Sequence, residues 1–546
     1  MKEEIIRTDV LCIGGGIAGL MAAIRASEMG AKVVVAEKGN TVRSGSAGLG
    51  NDHFRCYIPE IHGSDMKPNL EALVRSPGGG GMRHMRFMRT WLENSFDMVK
   101  LWESWGIPMR YEGRYEFAGH GLPGRMLTSL KYSGKDQKPV LTREALKRGV
   151  TIMNRVMMFD LINKNDNLVA LGIDTRENRL LVYEAKSLVL GTGLCTRLYP
   201  SPTPGHMFNI AYSPNNTGDG RAMAFRAGAE LANLELTMRW AGPKYFARCG
   251  KATWVGVLRD PGDRPIGPFV TKPDRKLGDV AADIWHSAFE DFAKSGKGPV
   301  YMDCRGISEE DYQYMVHWLR NEGNVSLLDH LGEEGIDLKK QAVEFSTYEP
   351  HLSGGVYYNE KGETSIKGLY AAGDEIFGAI SCAATFGWIA GENAARYSGS
   401  AAGSDAGEAR SDIEARKQDL QEIVGRTRGP EWKEANLALQ QVMQDYAGPV
   451  RSETSLTAGL THVRRLREKV TKSIVAHDQH ELARSLEVRN LIELAELLFV
   501  AALERKETRA GHVRVDYPFT NPLLDKMLIV KRGGDGPLME WREIER

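Results

Sequence analysis

The stretch Thr8-Asp-Val-Leu-Cys-Ile-Gly-Gly-Gly-Ile-Ala-Gly-Leu20 decides the fold of this chain. Its apolar run from Val10 to Ile13 predicts a buried strand, and the apolar positions that begin at Leu20 predict a helix, which Gly30 ends. Lys32–Glu37 predicts a second strand. Strand, glycine turn, helix and strand in this order form the unit that binds a dinucleotide. The N-terminal region is therefore predicted to be Rossmann-like.

Each of the three motif glycines has a different structural role. Gly14 permits the tight turn, Gly16 lets the backbone approach a pyrophosphate, and Gly19 lets helix and strand pack closely. The N-terminus of the helix then faces the phosphates. Glu37, eighteen residues after Gly19, is placed to bind ribose hydroxyls. A glycine turn alone is a weak signal, but the turn, both strands and the terminal acid together predict a bound redox dinucleotide.

Charge and cysteine usage exclude several classes of protein. The 546 residues carry 71 Lys and Arg against 71 Asp and Glu, and this balance removes the electrostatic case for nucleic-acid binding. A chain of this length is expected to form two or three domains. The six cysteines are scattered without a C-x-x-C pair, so we predict no metal or iron–sulfur site in this chain. Any such cluster would lie in a partner.

The sequence predicts no export signal and no direct membrane span. The first strand follows directly on Met1-Lys-Glu-Glu-Ile-Ile-Arg7, without an apolar signal region. The longest apolar run, Leu491 to Leu503, is interrupted by Glu493 and Glu496 and is too short to cross a bilayer. We therefore expect a cytoplasmic protein.

The nucleotide-binding pattern returns twice further along the chain. Ala185 to Gly193 predicts a strand that ends in Gly191-Thr192-Gly193, where a chain can pass close to a cofactor. Gly368-Leu-Tyr-Ala-Ala-Gly-Asp-Glu375 repeats the pattern, with Gly373 and with Asp374 placed to bind a ribityl or ribose hydroxyl. A helix is predicted after it, from Ala383 to Tyr397.

This spacing predicts a binding domain that an insertion splits. Residues 1–235 and 347–400 are its two parts, and residues 236–346, rich in aromatic and charged side chains, are predicted to cap the site. Small residues from Ser398 to Gly407 indicate a linker, and residues 410–546 are predicted to form a helical domain. The fold class is thus α/β: a split Rossmann-like domain, an inserted α+β capping domain and a C-terminal helical domain.

Five motifs extend along nearly the whole chain: Gly14-x-Gly16-x-x-Gly19, Thr217-Gly-Asp-Gly-Arg-Ala-Met-Ala-Phe-Arg-Ala-Gly-Ala229, His351 followed by Ser353-Gly-Gly355, Gly368–Asp374, and Arg505–Pro518. Together they resemble the flavoproteins of succinate dehydrogenase and fumarate reductase, whose relatives include L-aspartate oxidase and the alpha subunit of adenylylsulfate reductase. The resemblance implies FAD in the first domain and hydride transfer through flavin N5. The FAD-binding residues it predicts are Gly14, Gly16, Gly19, Glu37, Lys38, Ser44, Gly45, Asn51, Gly191, Thr192, Gly193, Asp219, Gly373, Asp374 and Ser381.

Several family positions carry different residues here. Gly45 stands where covalent members have the histidine that links flavin, so the FAD is expected to be non-covalent. The arginine that shuttles protons in the cap is matched by Gly278, and the arginine that clamps a substrate carboxylate is matched by Ser381. A bidentate clamp needs a guanidinium, which serine lacks. Fumarate and succinate are therefore not the expected substrates.

The predicted catalytic residues are His351, Arg239 and Trp240. His351 precedes a glycine loop that permits close approach to a ring system, and an imidazole can transfer protons near neutral pH. Arg239 and Trp240, with Lys244, Arg248 and Trp254, either cradle an anionic or planar substrate or form a solvated cap surface over core tryptophans. His53 and His206 are weaker candidates.

We expect an FAD-dependent oxidoreductase subunit that exchanges two electrons between a small polar substrate and an iron–sulfur or membrane-bound partner. Gly134–Val140 and Arg239–Trp254 are similar to the alpha subunit of adenylylsulfate reductase, so a flavin that forms a sulfite adduct is one alternative. A flavin electron-transfer subunit without substrate chemistry is another. A nicotinamide-dependent reductase is disfavoured, because the one complete dinucleotide motif is assigned to FAD.

Overall fold

The computed structural model of the chain describes residues 1–74, 82–119, 126–201, 207–244, 254–266, 270–277, 289, 292, 295–376 and 379–546. The strands are β1 (Lys2–Ile13), β2 (Val33–Glu37), β3 (His53–Arg55), β4 (Ser129–Lys131), β5 (Thr151–Asn154), β6 (Val156–Lys164), β7 (Asn167–Asp174), β8 (Arg179–Leu190), β9 (Leu231–Ala232), β10 (Thr237–Met238), β11 (Ala241–Pro243), β12 (Val257–Arg259), β13 (Val300–Asp303), β14 (Val343–Thr347), β15 (His351–Leu352), β16 (Gly355–Val356), β17 (Leu369–Ala371), β18 (Val450–Arg451), β19 (Val513–Arg514), β20 (Lys526–Arg532) and β21 (Pro537–Glu543).

The α-helices are α1 (Ile17–Glu28), α2 (Pro59–His62), α3 (Lys67–Val74), α4 (Met85–Ser104), α5 (Gln137–Lys147), α6 (Asp219–Ala227), α7 (Glu309–Asn321), α8 (Val325–Glu333), α9 (Ile380–Ser398), α10 (Arg410–Gly425), α11 (Trp432–Tyr446), α12 (Glu453–Ser473) and α13 (Gln479–Glu504). Short 3₁₀ turns cover Gly373–Glu375 and Pro522–Leu524. Among the helices described, none combines the length and the apolar character needed to cross a bilayer.

A seven-stranded sheet forms the centre of the nucleotide-binding region. Its order is β5-β2-β1-β8-β7-β6, with β17 also pairing with β8, and β1 is parallel to both β2 and β8. Val10–Ile13 and the whole of β2 are buried, as expected for parallel strands that are covered on both faces. Helices α1 and α9 pack against each other beside this sheet. The predicted α/β fold with its β-α-β unit is confirmed.

The predicted helix at Ala383–Tyr397 begins three residues earlier than expected, at Ile380, and ends at Ser398. Ala379 is extended and is the N-cap, so residues 380–382 form the first turn of the helix. This shift matters for function because it places Ile380 in the first turn of α9, at the edge of the central cavity.

A smaller sheet lies within the predicted insertion. Its order is β11-β14-β13-β12, and its core includes Trp254, Met302, Met315 and Phe345. Helices α7 and α8 contribute Met315 and Leu327 to the same core. The domain boundaries at residues 236 and 346 stay a prediction, as do those of the other domains. Tyr245, Arg248 and Trp285 fall outside the described residues, as do Gly278 and the glycines at 78–81.

The C-terminal region is helical over α10–α13, as predicted, but its end is not. β20 and β21 form an antiparallel hairpin, and β20 also pairs with β9, giving a sheet of order β16-β9-β20-β21. Ile529 and Val530 favour a strand because β-branched side chains pack well on a pleated surface. The C-terminal segment therefore returns to the nucleotide-binding region.

Candidate functional site

A cavity of about 930 Å³ lies at the carboxyl ends of the parallel strands of the central sheet. Its lining includes Ile13 at the end of β1, Ala36 near the end of β2, Gly191 directly after β8 and Ala372 directly after β17. Ligands of open α/β sheets bind at this edge of the sheet.

The glycines of the turn allow close contacts between backbone segments, which a Cβ at the same positions would block. Gly14 has a φ of +94°, and a Cβ on it would lie 2.5 Å from the carbonyl oxygen of Gly191. A Cβ on Gly19 would lie 1.8 Å from the carbonyl oxygen of Gly14. Gly16 is the N-cap of α1 and lines the cavity, so the positive end of the helix dipole faces the space where phosphates would lie.

Two charged side chains hold this turn in place. The carboxylate of Glu37 accepts hydrogen bonds from the backbone N–H groups of Gly15 and Gly39, both at 2.6 Å. A carboxylate has about four acceptor positions, so Glu37 retains capacity for ribose hydroxyls. Lys138, which the sequence analysis did not single out, donates to the carbonyl oxygen of Gly15. Burial lowers the pKa of Lys138 to about 8, although Glu37 opposes this shift.

Lys38 connects the cavity to the C-terminal helices. Its ammonium lies 2.7 Å from Asp219 Oδ2 and 2.8 Å from Glu487 Oε1. Burial opposes the charge of Lys38, but Asp219 and Glu487 outweigh it and raise the pKa of the ammonium. Glu487 also binds Arg197, at 2.8 Å. The sequence predicted Lys38 and Asp219 but missed Glu487, because nothing along the chain shows that α13 reaches the cavity.

Arg221 was also missed as a separate residue. It is fully buried and donates to three backbone carbonyl oxygens, those of Leu352, Asp374 and Glu375. Glu375 in turn accepts from both the backbone N–H and the hydroxyl of Thr192, at 2.6 Å each. These bonds fix the turn that presents Asp374, whose pKa burial raises to about 6 against the opposing charge of Arg221.

The structure brings most of the predicted FAD-binding residues to one cavity. Eleven of them line it: Gly14, Gly16, Glu37, Lys38, Ser44, Gly45, Gly191, Thr192, Gly193, Asp219 and Asp374. Four are not among the lining residues: Gly19, Asn51, Gly373 and Ser381. The individual roles of all fifteen in binding FAD stay a prediction.

The four residues outside the cavity wall make contacts elsewhere in the fold. Gly19 packs beneath Gly14, and Gly373 packs against Ala18 and Ala383, which both line the cavity. Asn51 accepts a hydrogen bond from the backbone of His53 at 3.0 Å. Ser381 is buried in the first turn of α9 and accepts a hydrogen bond from the indole of Trp91 at 3.1 Å.

The predicted catalytic residues meet at a second place. His351 is buried in β15, which pairs with β10, and its ring centroid lies 6.3 Å from that of Trp240 and 5.1 Å from that of Tyr212. Arg239 lies 3.5 Å from the hydroxyl of Thr347, and burial lowers its pKa to about 10. None of the three predicted residues is among those that line the 930 Å³ cavity.

Trp254 and Lys244, two residues of the predicted substrate cradle, contact other residues of the protein. Trp254 is buried against Phe345, with their ring centroids 5.1 Å apart, and Lys244 binds Glu344 at 2.7 Å. A tryptophan in the core of the small sheet cannot also stack on a ligand, so the core alternative holds for Trp254. His206 and Arg248 lie outside the described residues.

Glu349 is a candidate that the sequence analysis overlooked. It stands two residues before His351 in the chain and its side chain is buried; Oε1 accepts a hydrogen bond from the backbone N–H of Ala211 at 2.8 Å, whereas Oε2 has no partner among the residues that the structure describes. Burial raises the pKa of Glu349 to about 7, although the Ala211 N–H opposes this. A carboxyl group poised near neutral pH can accept or release a proton during a reaction.

Glu349 gives a testable dependence of stability on pH. Its folded-state pKa is about 7 against an ordinary 4.5, so the native state holds an extra proton between these values and loses stability as the pH rises through that window. The loss amounts to roughly 3 kcal/mol. Glu349→Gln is expected to remove this part of the decline in melting temperature between pH 5 and 8. Glu344→Gln should keep the wild-type slope, and an unchanged slope in Glu349→Gln would contradict the assignment.

Comparison with known proteins agrees with this geometry. Residues 9–386 match the FAD binding domain family, and residues 436–543 match the fumarate reductase flavoprotein C-terminal family. This chain belongs to the FAD-binding family of fumarate reductase-type flavoproteins. It is an FAD-dependent oxidoreductase, and the predicted cofactor and enzyme class are confirmed.

The flavoprotein has relatives of similar length. It is 25% identical to a CoM/CoB fumarate reductase chain of Methanothermobacter marburgensis, over 97% of this chain and 98% of the relative. It is 25% identical to L-aspartate oxidase of Yersinia pestis, over 94% and 96% of the two chains. Among solved structures, adenylylsulfate reductase of Archaeoglobus fulgidus has a TM-score of 0.86 at 21% identity, over 100% of this chain and 97% of that one. That likeness establishes a shared fold.

Proposed function

We propose that this flavoprotein is the catalytic subunit of an oxidoreductase that exchanges two electrons between a small polar substrate and a separate iron–sulfur protein. The main observation behind the proposal is the placement of two sites. His351 stacks on Trp240, the neighbour of Arg239, and also contacts Tyr212, whose neighbour Ala211 donates to Glu349, while the FAD cavity is built by other residues. This arrangement suits a substrate held at the flavin by residues that do not bind the cofactor.

Bound FAD supplies hydride transfer, and the chain supplies orientation and electrostatics. Gly45 lines the cavity with a φ of +78° and has no side chain through which a flavin could be attached. We therefore propose that the cofactor is held non-covalently. Arg239 can bind a negative group of the substrate, and Glu349 or His351 can hold the proton that balances the transferred charge.

The proposed iron–sulfur partner follows from the need for a redox centre that exchanges electrons with the flavin. The six cysteines of the sequence include no C-x-x-C pair, so the chain offers no recognisable cluster motif of its own. The relatives differ in substrate, as their names show: one is a CoM/CoB fumarate reductase and another an aspartate oxidase. The proposal therefore needs a test that separates electron acceptors.

Stopped-flow reoxidation provides this test. The holoprotein is photoreduced without oxygen and mixed either with air-saturated buffer or with an oxidised ferredoxin-type iron–sulfur protein. We expect faster reoxidation by the iron–sulfur protein than by oxygen. Rapid reoxidation by oxygen with none by the iron–sulfur protein would contradict the partner, and fast bleaching of the oxidised flavin by NADH would contradict the whole electron route. Sulfite titration of the oxidised protein tests the adenylylsulfate alternative, which requires bleaching.

A further inference from the structure

The first turn of helix α5 contacts two loops of the FAD cavity from outside it. No described residue of α5 is among those that line the cavity. Lys138, in the first turn, is 1% exposed and donates a hydrogen bond to the carbonyl oxygen of Gly15. Its neighbour Gln137 donates to the carbonyl oxygen of Ala47, which lines the cavity, at 3.1 Å. The segment Gly134–Val140, which the sequence singled out, therefore supports the cavity wall.

The hydrogen bond from Lys138 also fixes the direction of a second group. The carbonyl of Gly15 and the N–H of Gly16 belong to one planar trans peptide, in which these two groups point in opposite directions. Because the carbonyl is directed at Lys138, the N–H of Gly16 is directed away from α5. Gly16 lines the cavity, and its N–H donates to none of the described residues. This N–H can therefore bind a phosphate oxygen in the cavity.

The charge of Lys138 strengthens this arrangement. A hydrogen bond from an ammonium polarises the peptide that accepts it, and the N–H at the other end of that peptide becomes a stronger donor. Glu37 holds the preceding peptide, since its carboxylate accepts from the N–H of Gly15 at 2.6 Å. Two successive peptides of the glycine turn are thus held by side chains of opposite charge.

We propose that Lys138 is a positioning residue for FAD, which holds the Gly15–Gly16 peptide so that the N–H of Gly16 faces a phosphate oxygen of the cofactor. Burying an ammonium costs free energy, and a methionine would fill a similar space without that cost. The charge is therefore expected to serve the cofactor. The inference concerns FAD binding, so it goes beyond the proposed function and does not depend on the substrate or the electron acceptor.

Lys138 is expected to make FAD affinity depend on pH. Burial lowers the pKa of Lys138 to about 8, although the carboxylate of Glu37, which faces it from β2, opposes this shift. A phosphate bound at Gly16 would favour the charged ammonium and raise this pKa, so FAD binding would take up a proton above pH 8. The affinity should therefore be constant below this value and should fall as the pH rises above it.

Other charged groups around the first turn of α5 do not explain a titration in this window. The start of α1, Ile17–Ile24, has no ionisable side chain. Lys38 stays charged because its two carboxylate partners raise the pKa of its ammonium. Asp136, the N-cap of α5, pairs with Arg43 at the surface. A change in FAD affinity between pH 7 and 9 would therefore report on Lys138.

Dilution of the holoprotein tests the proposal without turnover. The holoprotein is diluted stepwise at pH 7 and at pH 9, and the fluorescence of the released FAD gives the dissociation constant. In the wild type we expect this constant to rise about tenfold between the two pH values, one decade for one pH unit above the pKa. Lys138→Met should bind FAD about tenfold more weakly than the wild type at pH 7, the loss typical of a hydrogen bond from a charged group, and should show no such rise.

Lys147→Met provides the matched control. Lys147 lies on the same helix, but its side chain is 59% exposed and pairs with Glu144, so the dissociation constant and its rise with pH should both stay at the wild-type values. A pH-independent constant in the wild type would overturn the inference, and this measurement needs no variant to fold. Wild-type affinity in Lys138→Met, or a wild-type rise with pH in that variant, would overturn it as well. None of these results depends on the electron acceptor, so the proposed function can fail separately.

Discussion

Gly19→Ala is expected to abolish tight binding of FAD. The new Cβ would lie 1.8 Å from the carbonyl oxygen of Gly14, a backbone atom that cannot rotate away as a flexible side chain could. Gly14 is itself fixed, since its φ is +94° and it packs on Gly191. Opening the turn should cost about 3 kcal/mol, the upper part of the usual range for overpacking. At the cofactor this corresponds to about 100-fold weaker affinity.

The matched control is Gly30→Ala, in the same β-α-β unit. Gly30 also has a positive φ, +86°, but a Cβ there would meet nothing within 4 Å. An alanine in this conformation costs about 1 kcal/mol of stability, so a small drop in melting temperature with unchanged FAD content is expected. FAD content after gel filtration distinguishes the two variants. If Gly19→Ala retained as much FAD as Gly30→Ala, the turn would not approach the cofactor.

Glu487→Gln is expected to be strongly destabilising. Burial opposes the charge of Glu487, but Lys38, Arg197 and Arg484 outweigh it and hold the pKa of the carboxyl well below its ordinary value. Neutralising Glu487 would leave buried cations without this partner, which typically costs about 3–5 kcal/mol. Since Lys38 lines the cavity, FAD content should fall as well.

Acid unfolding distinguishes the loss of the buried Glu487 charge from a general loss of packing. A carboxyl group whose pKa is lowered in the folded state stabilises the protein above its unfolded pKa, about 4.3, and this contribution is lost as the pH falls below that value. The difference in unfolding free energy between wild type and Glu487→Gln should therefore shrink in acid. Glu468→Gln, an exposed change on α12, should alter stability by less than about 0.5 kcal/mol. A pH-independent difference would contradict the role of the buried charge.

The first domain could be predicted because its signals are local. The strand pattern, the glycines at 14, 16 and 19, and Glu37 lie within one short stretch and specify both the fold and the ligand. Thr192 and Asp374 could be found in the same way, since each follows a glycine that comes shortly after the end of a strand with apolar residues. The structure then brings these segments to one cavity.

The site residues that could not be predicted depend on contacts between segments that are distant in sequence. Glu487 reaches Lys38 across the fold, and Arg221 holds turns that lie far away in sequence. The position of Glu349 beside His351 suggested nothing, because burial of a carboxylate is visible only in three dimensions. For Trp254 the sequence left two alternatives open, since an aromatic residue in a predicted cap is as suited to a small core as to a ligand, and the structure places it in the core.

The most direct test of the central claim is the visible spectrum of the purified protein before and after acid precipitation. The cavity at the glycine turn is proposed to hold one non-covalent FAD. We predict a flavin spectrum with one FAD per chain, all of which appears in the acid supernatant. Flavin that stayed with the precipitate would contradict non-covalent binding, and a colourless protein that does not take up added FAD would contradict the account from its first glycine.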